Sequence, residues 1–250
     1  MSRLLSIISG VTGLFMAAAL AAQTPAQPTV DLKAAPPPPA LEADNSWNLD
    51  LSTGGRVVIQ LRPDMAPNHV ERIKTLTRQG FYNGLVFFRV IEGFMAQSGD
   101  PQNVGTGGSP LPNLNAEING LMHVRGAVAA ARTQDPNSAN SQFYIMFTPR
   151  LNMDRGYSVF GRVVSGMNHV DLIERGEPPA NPSRILRASL GSDNVPPMSA
   201  AEIQAETARL AAANAPAPGR TQTPLNLPTR PGARVAPVPQ PAPQPAPQPQ

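Results

Sequence analysis

Over 47–61, apolar and polar positions alternate: Leu49 and Leu51 precede Thr53-Gly54-Gly55, and Val57, Ile59 and Leu61 follow it. A period of two on either side of a glycine turn predicts a β-hairpin. Over 66–79 the period lengthens. Pro67 sits in the first turn, Val70, Ile73 and Leu76 share one face, and Gly80 stops the run, which predicts an α-helix. Phe81-Tyr82-Asn83-Gly84 then turns the chain into its densest apolar stretch, VFFRVIEGFMAQSGD over 86–100. There Arg89 stands among Phe87, Phe88, Val90, Ile91, Phe94 and Met95, so the segment reads as a buried strand carrying one arginine.

The glycine-rich VGTGGSPLP that follows reads as a flexible surface loop. A phosphate-binding loop would end in lysine and a hydroxyl residue, and Ser109-Pro110 stand there instead. Short apolar strands are predicted over 126–131, 142–147 and 157–164, a second helix over 167–175 ended by Gly176, and a last strand at Ile185–Leu190. Ser199 and Glu202 form a capping box opening an alanine-rich helix whose apolar face (Ile203, Thr207, Leu210) is thin. Strands outnumber helices, and the connections are too short for repeated βαβ units. The pattern therefore predicts a mainly β, antiparallel barrel or sandwich.

Both ends break this pattern. Residues 1–22 read MSRLLSIISGVTGLFMAAALAA, with Arg3 at the start, an apolar run, and Ala19-Leu20-Ala21 as a cleavage site. This predicts a cleaved secretory signal peptide in preference to an uncleaved membrane anchor, hence a periplasmic or secreted protein without stable membrane insertion. Of 30 prolines, six fall within 24–40 and twelve within 214–250. The chain accordingly divides into the leader 1–22, a Pro-rich linker 23–44 of polyproline II character, and a folded domain 45–195. An Ala-rich helix over 196–213 and a disordered Pro/Gln-rich tail over 214–250 complete it.

Composition adds exclusions. The isoelectric point of about 9.8 would suggest nucleic acid. Removing Arg3 and the tail's Arg220, Arg230 and Arg234 takes the net charge from +3 to −1, so no nucleic-acid partner is expected. The absence of cysteine excludes disulfides, thiolate metal sites and cysteine nucleophiles. Three histidines (His69, His123, His169) without ligand spacing leave no expected metal or other cofactor.

The 86–100 stretch and a second dense segment, DPNSANSQFYIM over 135–146, resemble the two signature segments of the cyclophilins, the peptidyl-prolyl cis-trans isomerases. The family pattern is close to F-H-R-x-I-x-G-F-M-x-Q-G-G-D, then N-x-x-x-S-Q-F-F-I, and the likeness covers about 48–190. It implies a closed eight-stranded antiparallel barrel capped by two helices, those over 66–79 and 167–175. It also implies that Arg89 is the catalytic arginine and that Phe94, Met95, Phe143 and Met153 wall a proline pocket, Met153 standing for a leucine. Gln97 and Gln142 match glutamines that hold the arginine and the substrate backbone, and Ala131 matches a pocket alanine. Tyr157 stands where many members have histidine. Phe88, counted with the substrate-binding residues, replaces the histidine before the arginine. Ser98 replaces a glycine, and Arg132-Thr133 an asparagine. Glu92 replaces a proline, close enough in sequence to compete for the guanidinium. Asn152 stands in place of the tryptophan of cyclosporin-sensitive members.

The chemistry such a site must perform is simple to state. Amide resonance sets a rotation barrier of roughly 18–20 kcal/mol, and X–Pro bonds exchange unaided in tens of seconds or more. A catalyst need only bind the twisted amide better than either planar form. Twisting returns a lone pair to the proline nitrogen, and a permanently charged arginine offers rigid N–H donors to it. The expected partners are proline-containing polypeptides, with the protein a monomer. Two other readings stand beside the enzyme: a proline-peptide-binding chaperone or scaffold with little turnover, and a structural domain that anchors the tail.

Overall fold

The computed structural model describes residues 36–213, and the leader, residues 23–35 and the tail over 214–250 lie outside the described residues. The predicted hairpin is strands β1 (Ser46–Leu51) and β2 (Gly55–Leu61), paired from Ser46 opposite Gln60 to Leu51 opposite Gly55. Its odd-numbered residues Trp47, Leu49, Leu51, Val57, Ile59 and Leu61 are fully buried in the main core. The even-numbered face is covered too. Asp50 is 1% exposed and receives Arg56 Nε at 2.8 Å and Arg187 Nη2 at 2.8 Å. The same two guanidiniums also donate to the Pro196 carbonyl, tying down the chain beyond the domain.

Helix α1 spans Pro67–Arg78 and buries Val70, Ile73 and Leu76. Its N-cap, Ala66, has no side chain to offer the first N–H groups. Glu117, far along the chain, does the capping. Its carboxylate accepts the Asn68 and His69 backbone N–H groups at 3.0 Å each and meets His69 Nδ1.

The arginine-bearing stretch is not one strand. It folds as a tight hairpin of β3 (Arg89–Ile91) and β4 (Met95–Ser98), in which Arg89 lies opposite Gln97. Strands β5 (Ala127–Ala130), β6 (Phe143–Met146), β7 (Val159–Ser165) and β8 (Ile185–Leu190) complete an eight-stranded antiparallel sheet of order β3-β4-β6-β5-β7-β2-β1-β8. The sheet curls around the main core. Between the edge strands β3 and β8 there is no strand-to-strand ladder. Backbone bonds from Gly84 to Ile185 (2.7 Å) and Phe87 to Ser183 (2.9 Å), with one bridge at Val86 and Arg184, join the two ends.

The second helix is shorter than its apolar spacing predicts. Helix α2 covers Met167–Asp171 only. Arg175 ends it by donating to the Asp171 and Ile173 carbonyls, which satisfies the last turn and releases the chain toward β3. Helix α3 (Ala200–Ala213) opens on the Ser199–Glu202 capping box and buries Ile203 alone. Before β1, the Pro36 and Pro39 carbonyls accept from Arg62 and Gln60. A groove of about 750 Å³ runs beneath Pro36 and Pro38 along β2 and β7, and Arg89 is not among its walls. Among the described residues no helix is long and apolar enough to cross a membrane.

Candidate active site

Along β4, β5 and β6, alternate residues leave the sheet on opposite sides. Ala96, Val128, Ala130, Phe143 and Ile145 enter the main core. Met95, Ala127, Ala129, Tyr144 and Met146 face the other way and join Phe94, Ala131, Met153, Tyr157 and Val159 in a second apolar cluster. Gln97 pairs with Tyr144 across the β4–β6 ladder, and Arg89 pairs with Gln97 across β3–β4, so both polar side chains share the side of this second cluster.

This parity corrects one expected wall residue. Phe143 is fully buried in the main core, edge-on to Trp47 at 5.0 Å between ring centroids. Its neighbour Tyr144 occupies the face that Phe143 was expected to line. Phe94, Met95, Ala131, Met153 and Tyr157 do assemble there. Phe88 is buried outside both clusters, with its ring against Gly105 of the glycine-rich loop.

Arg89 is held at two corners of its guanidinium. Nε donates to Glu177 Oε2 at 2.8 Å, and Nη1 to Gln97 Oε1 at 3.4 Å. Gln97 passes its amide to Gln142 Oε1 at 2.8 Å. The Gln142 amide in turn donates to the carbonyls of Gly105 (3.2 Å) and Gly107 (2.8 Å). The two glutamines thus form a hydrogen-bonded relay from the arginine to the glycine-rich loop. That loop lies at the surface, as expected, but it is tied. Buried Asp100 accepts the backbone N–H groups of Gln102, Val104 and Gly105 at 2.6–3.0 Å. A Cβ at Gly107 would stand 2.0 Å from Asp100 Oδ1, so the close approach requires glycine.

Glu92, expected as a competitor for Arg89, is drawn away by Arg175, whose Nε reaches its carboxylate at 2.7 Å. Glu177 takes the arginine instead, from 88 residues further along the chain. Sequence spacing carried no signal for that contact.

The apolar cluster hides a polar chain. His123 is fully buried. Its Nδ1 faces Asp154 Oδ1 at 3.0 Å and its Nε2 faces the Tyr144 hydroxyl at 3.0 Å. With Asp154 as an acceptor, Nδ1 carries the proton and Nε2 accepts from Tyr144. Burial pushes the His123 pKa below its ordinary value, against the upward pull of Asp154. Burial likewise raises the Tyr144 and Tyr157 phenols, so both stay neutral. Arg132 lies 4.5 Å over the Tyr157 ring and donates to the Thr133 and Gly156 carbonyls. Arg150 lies 5.7 Å from the Phe94 ring and donates to the Gly93 carbonyl. Asn152 is exposed in the turn Leu151–Met153.

The profile of the family described as cyclophilin type peptidyl-prolyl cis-trans isomerase matches residues 48–190, from β1 to β8. The chain belongs to the cyclophilins. It is 46% identical over 170 residues to the probable peptidyl-prolyl cis-trans isomerase of Brucella suis, covering 62% of this chain and 86% of that one. An isomerase of Schizosaccharomyces pombe is 34% identical over 150 residues, covering 56% of this chain and 97% of that one. Among solved structures, the cyclophilin AquaCyp293 of Hirschia baltica superposes with a TM-score of 0.57 at 29% identity, covering 62% and 77% of the two chains. A Cryptosporidium parvum cyclophilin crystallised in the presence of the dipeptide Ala-Pro shares the fold, with a TM-score of 0.55 at 22% identity over 58% and 98%. This cyclophilin is therefore a peptidyl-prolyl cis-trans isomerase.

Proposed function

We propose that the cyclophilin domain accelerates rotation about X–Pro bonds in exported polypeptides, with Arg89 as the catalytic group. The observation that carries this reading is the two-point hold on Arg89, through Glu177 and Gln97, beside a wall of Phe94, Met95, Met153 and Tyr157. A guanidinium fixed before the substrate arrives loses little side-chain freedom when its N–H groups turn to the lone pair of a twisting amide. The apolar wall grips the proline ring while the flanking chain rotates, Ala131 adding surface, and Gln142 steadies Gln97 beside the arginine. No covalent bond is made or broken. The Ala-Pro dipeptide present with the Cryptosporidium parvum relative supports proline-containing chains as the substrate class.

The proposal extends to location and architecture. Residues 1–22 act as a cleaved leader, which delivers the domain to the periplasm or outside the cell as a monomer. The sheet closes through the bonds that join 84–87 to 183–185. One observation favours turnover too slow to matter, and hence a scaffold: a carboxylate, Glu177, already occupies Nε of the arginine. A protease-coupled isomerisation assay on the mature chain decides. The enzyme reading expects the cis fraction of a proline tetrapeptide to vanish faster in proportion to protein concentration. Binding of the peptide without acceleration would overturn it.

A further inference from the structure

The segment that brings Glu177 to the site is built into the sheet edge. Gly176 and Val90 exchange two backbone hydrogen bonds, of 2.9 and 2.8 Å. In an antiparallel pairing this sets the next residues out, Glu177 and Arg89, opposite each other with side chains on one face. Gly176 has φ +144°, and a Cβ there would lie 2.6 Å from Pro179 Cα, so glycine is required for the turn. Arg175, one residue earlier, pins the same segment by pairing with Glu92 and lying 4.2 Å over the Phe147 ring. The two arginines therefore sort the two carboxylates: Arg175 takes Glu92, and Arg89 takes Glu177. Exposure within the second pair is uneven. The Arg89 side chain is 12% exposed and that of Glu177 is 42%. An arriving polypeptide thus meets the carboxylate at the rim of the pair and the guanidinium beneath it.

We infer that Glu177 is a positioning and specificity-determining residue. It orients Arg89 through Nε, and its charge favours X–Pro bonds preceded by lysine or arginine over those preceded by aspartate or glutamate. The inference rests on the reading of Arg89 as the catalytic group. For two unit charges at a separation taken as about 7 Å, an effective dielectric of about 40–80 changes a rate by roughly three- to tenfold relative to a neutral residue before the proline. The Debye length of about 10 Å at 0.1 M salt makes that preference fade as ionic strength rises.

The test uses the mature chain and three tetrapeptides that differ only in having lysine, glutamine or glutamate before the proline. Wild type, Glu177→Gln, Glu177→Ala and Arg89→Ala are compared for kcat and KM separately, at low and high salt. Glu177 is exposed, so its variants leave the core intact. Glu177→Gln removes one negative charge while Arg89 keeps its positive one, so the lysine-to-glutamate ratio of kcat/KM is expected to fall by about ten- to a hundredfold from wild type to Glu177→Gln at low salt, each peptide charge supplying roughly three- to tenfold. With the glutamine peptide, Glu177→Ala lowers kcat by about tenfold with KM little changed. Glu177→Gln, which keeps an oxygen for Nε, recovers most of that loss. An unchanged lysine-to-glutamate ratio in Glu177→Gln, or wild-type kcat in Glu177→Ala, with Arg89→Ala inactive, overturns this inference alone. Full activity in Arg89→Ala overturns the arginine reading and this inference with it.

Discussion

Removing one oxygen from the buried polar chain isolates its contribution. In Tyr144→Phe the ring keeps its volume, so no cavity opens and the edge-on contact with Tyr157, 5.9 Å between centroids, is retained. What disappears is the 3.0 Å bond to His123 Nε2, an atom of a side chain that is 0% exposed. A buried acceptor left without its donor costs about 1–3 kcal/mol. For a domain of this size, each kcal/mol moves the melting temperature by about 2–4 °C. A drop of about 2–12 °C by circular dichroism is therefore expected. Tyr157→Phe, which leaves the His123 contact in place, serves as the control. The pH profile supplies a second reading. Burial holds His123 below its ordinary pKa of 6.5, so the fold favours the neutral ring. Above 6.5 both folded and unfolded chains carry it neutral, and its contribution is fully present. As pH falls below that value the unfolded chain gains a proton that the fold resists, and stability declines until the folded pKa is reached. Wild type should thus lose melting temperature between pH 7 and about pH 5, before the bulk of the carboxylates titrate. A Tyr144→Phe variant as stable as wild type, or a wild-type profile that stays flat in that window, would refute the buried hydrogen-bond chain.

Glu117→Gln should cost about 0.5–2 kcal/mol in chemical denaturation, since the carboxylate caps α1 from outside the helix. Burial raises the Glu117 pKa, but bonds from the His69 ring and the Asn68 and His69 backbones outweigh it and leave the group below its ordinary 4.5. That stabilisation is therefore present above 4.5 and is lost as pH falls through the folded value, a loss that Glu117→Gln should no longer show. Gln97→Ala should lower kcat by about tenfold with a smaller change in KM, because it unlinks Arg89 from Gln142 and the glycine-rich loop. Cyclosporin should inhibit weakly, since exposed Asn152 offers neither aromatic surface nor an indole donor, and a nanomolar inhibition constant would contradict this. Truncation after Ala213 should leave melting temperature and kcat/KM on tetrapeptides unchanged, because the family match ends at residue 190 and the candidate site lies within it.

Much of the frame was legible because its signals are local. Alternation about Gly54-Gly55 marked the first hairpin, and Pro67 with the Val70–Ile73–Leu76 face marked α1. Arg89, Gln97 and Gln142 lie in dense segments that a family likeness picks out. Other features depend on contacts that spacing does not encode. Phe143 and Tyr144 are both fully buried, so hydrophobicity could not tell which faces the main core, and only the ladder register settles the parity. The β3–β4 turn falls at Glu92-Gly93, a short polar break that the apolar residues on either side of it outweigh. Helix α2 ends early because Arg175 satisfies its carbonyls, a long-side-chain effect that apolar periodicity does not register. Glu92 looked like the partner of Arg89 by proximity in sequence. The bridge from Gly176 to Val90 hands that place to Glu177.

The catalytic role of Arg89 is the central claim, and its most direct measurement is the protease-coupled rate of Arg89→Ala against wild type on one proline tetrapeptide, with a matched thermal melt. A retained fold and a loss in kcat/KM of about 10²–10³-fold are expected, the scale seen when one preorganised donor to a transition state is removed. A folded Arg89→Ala domain that isomerises at the wild-type rate would contradict that role.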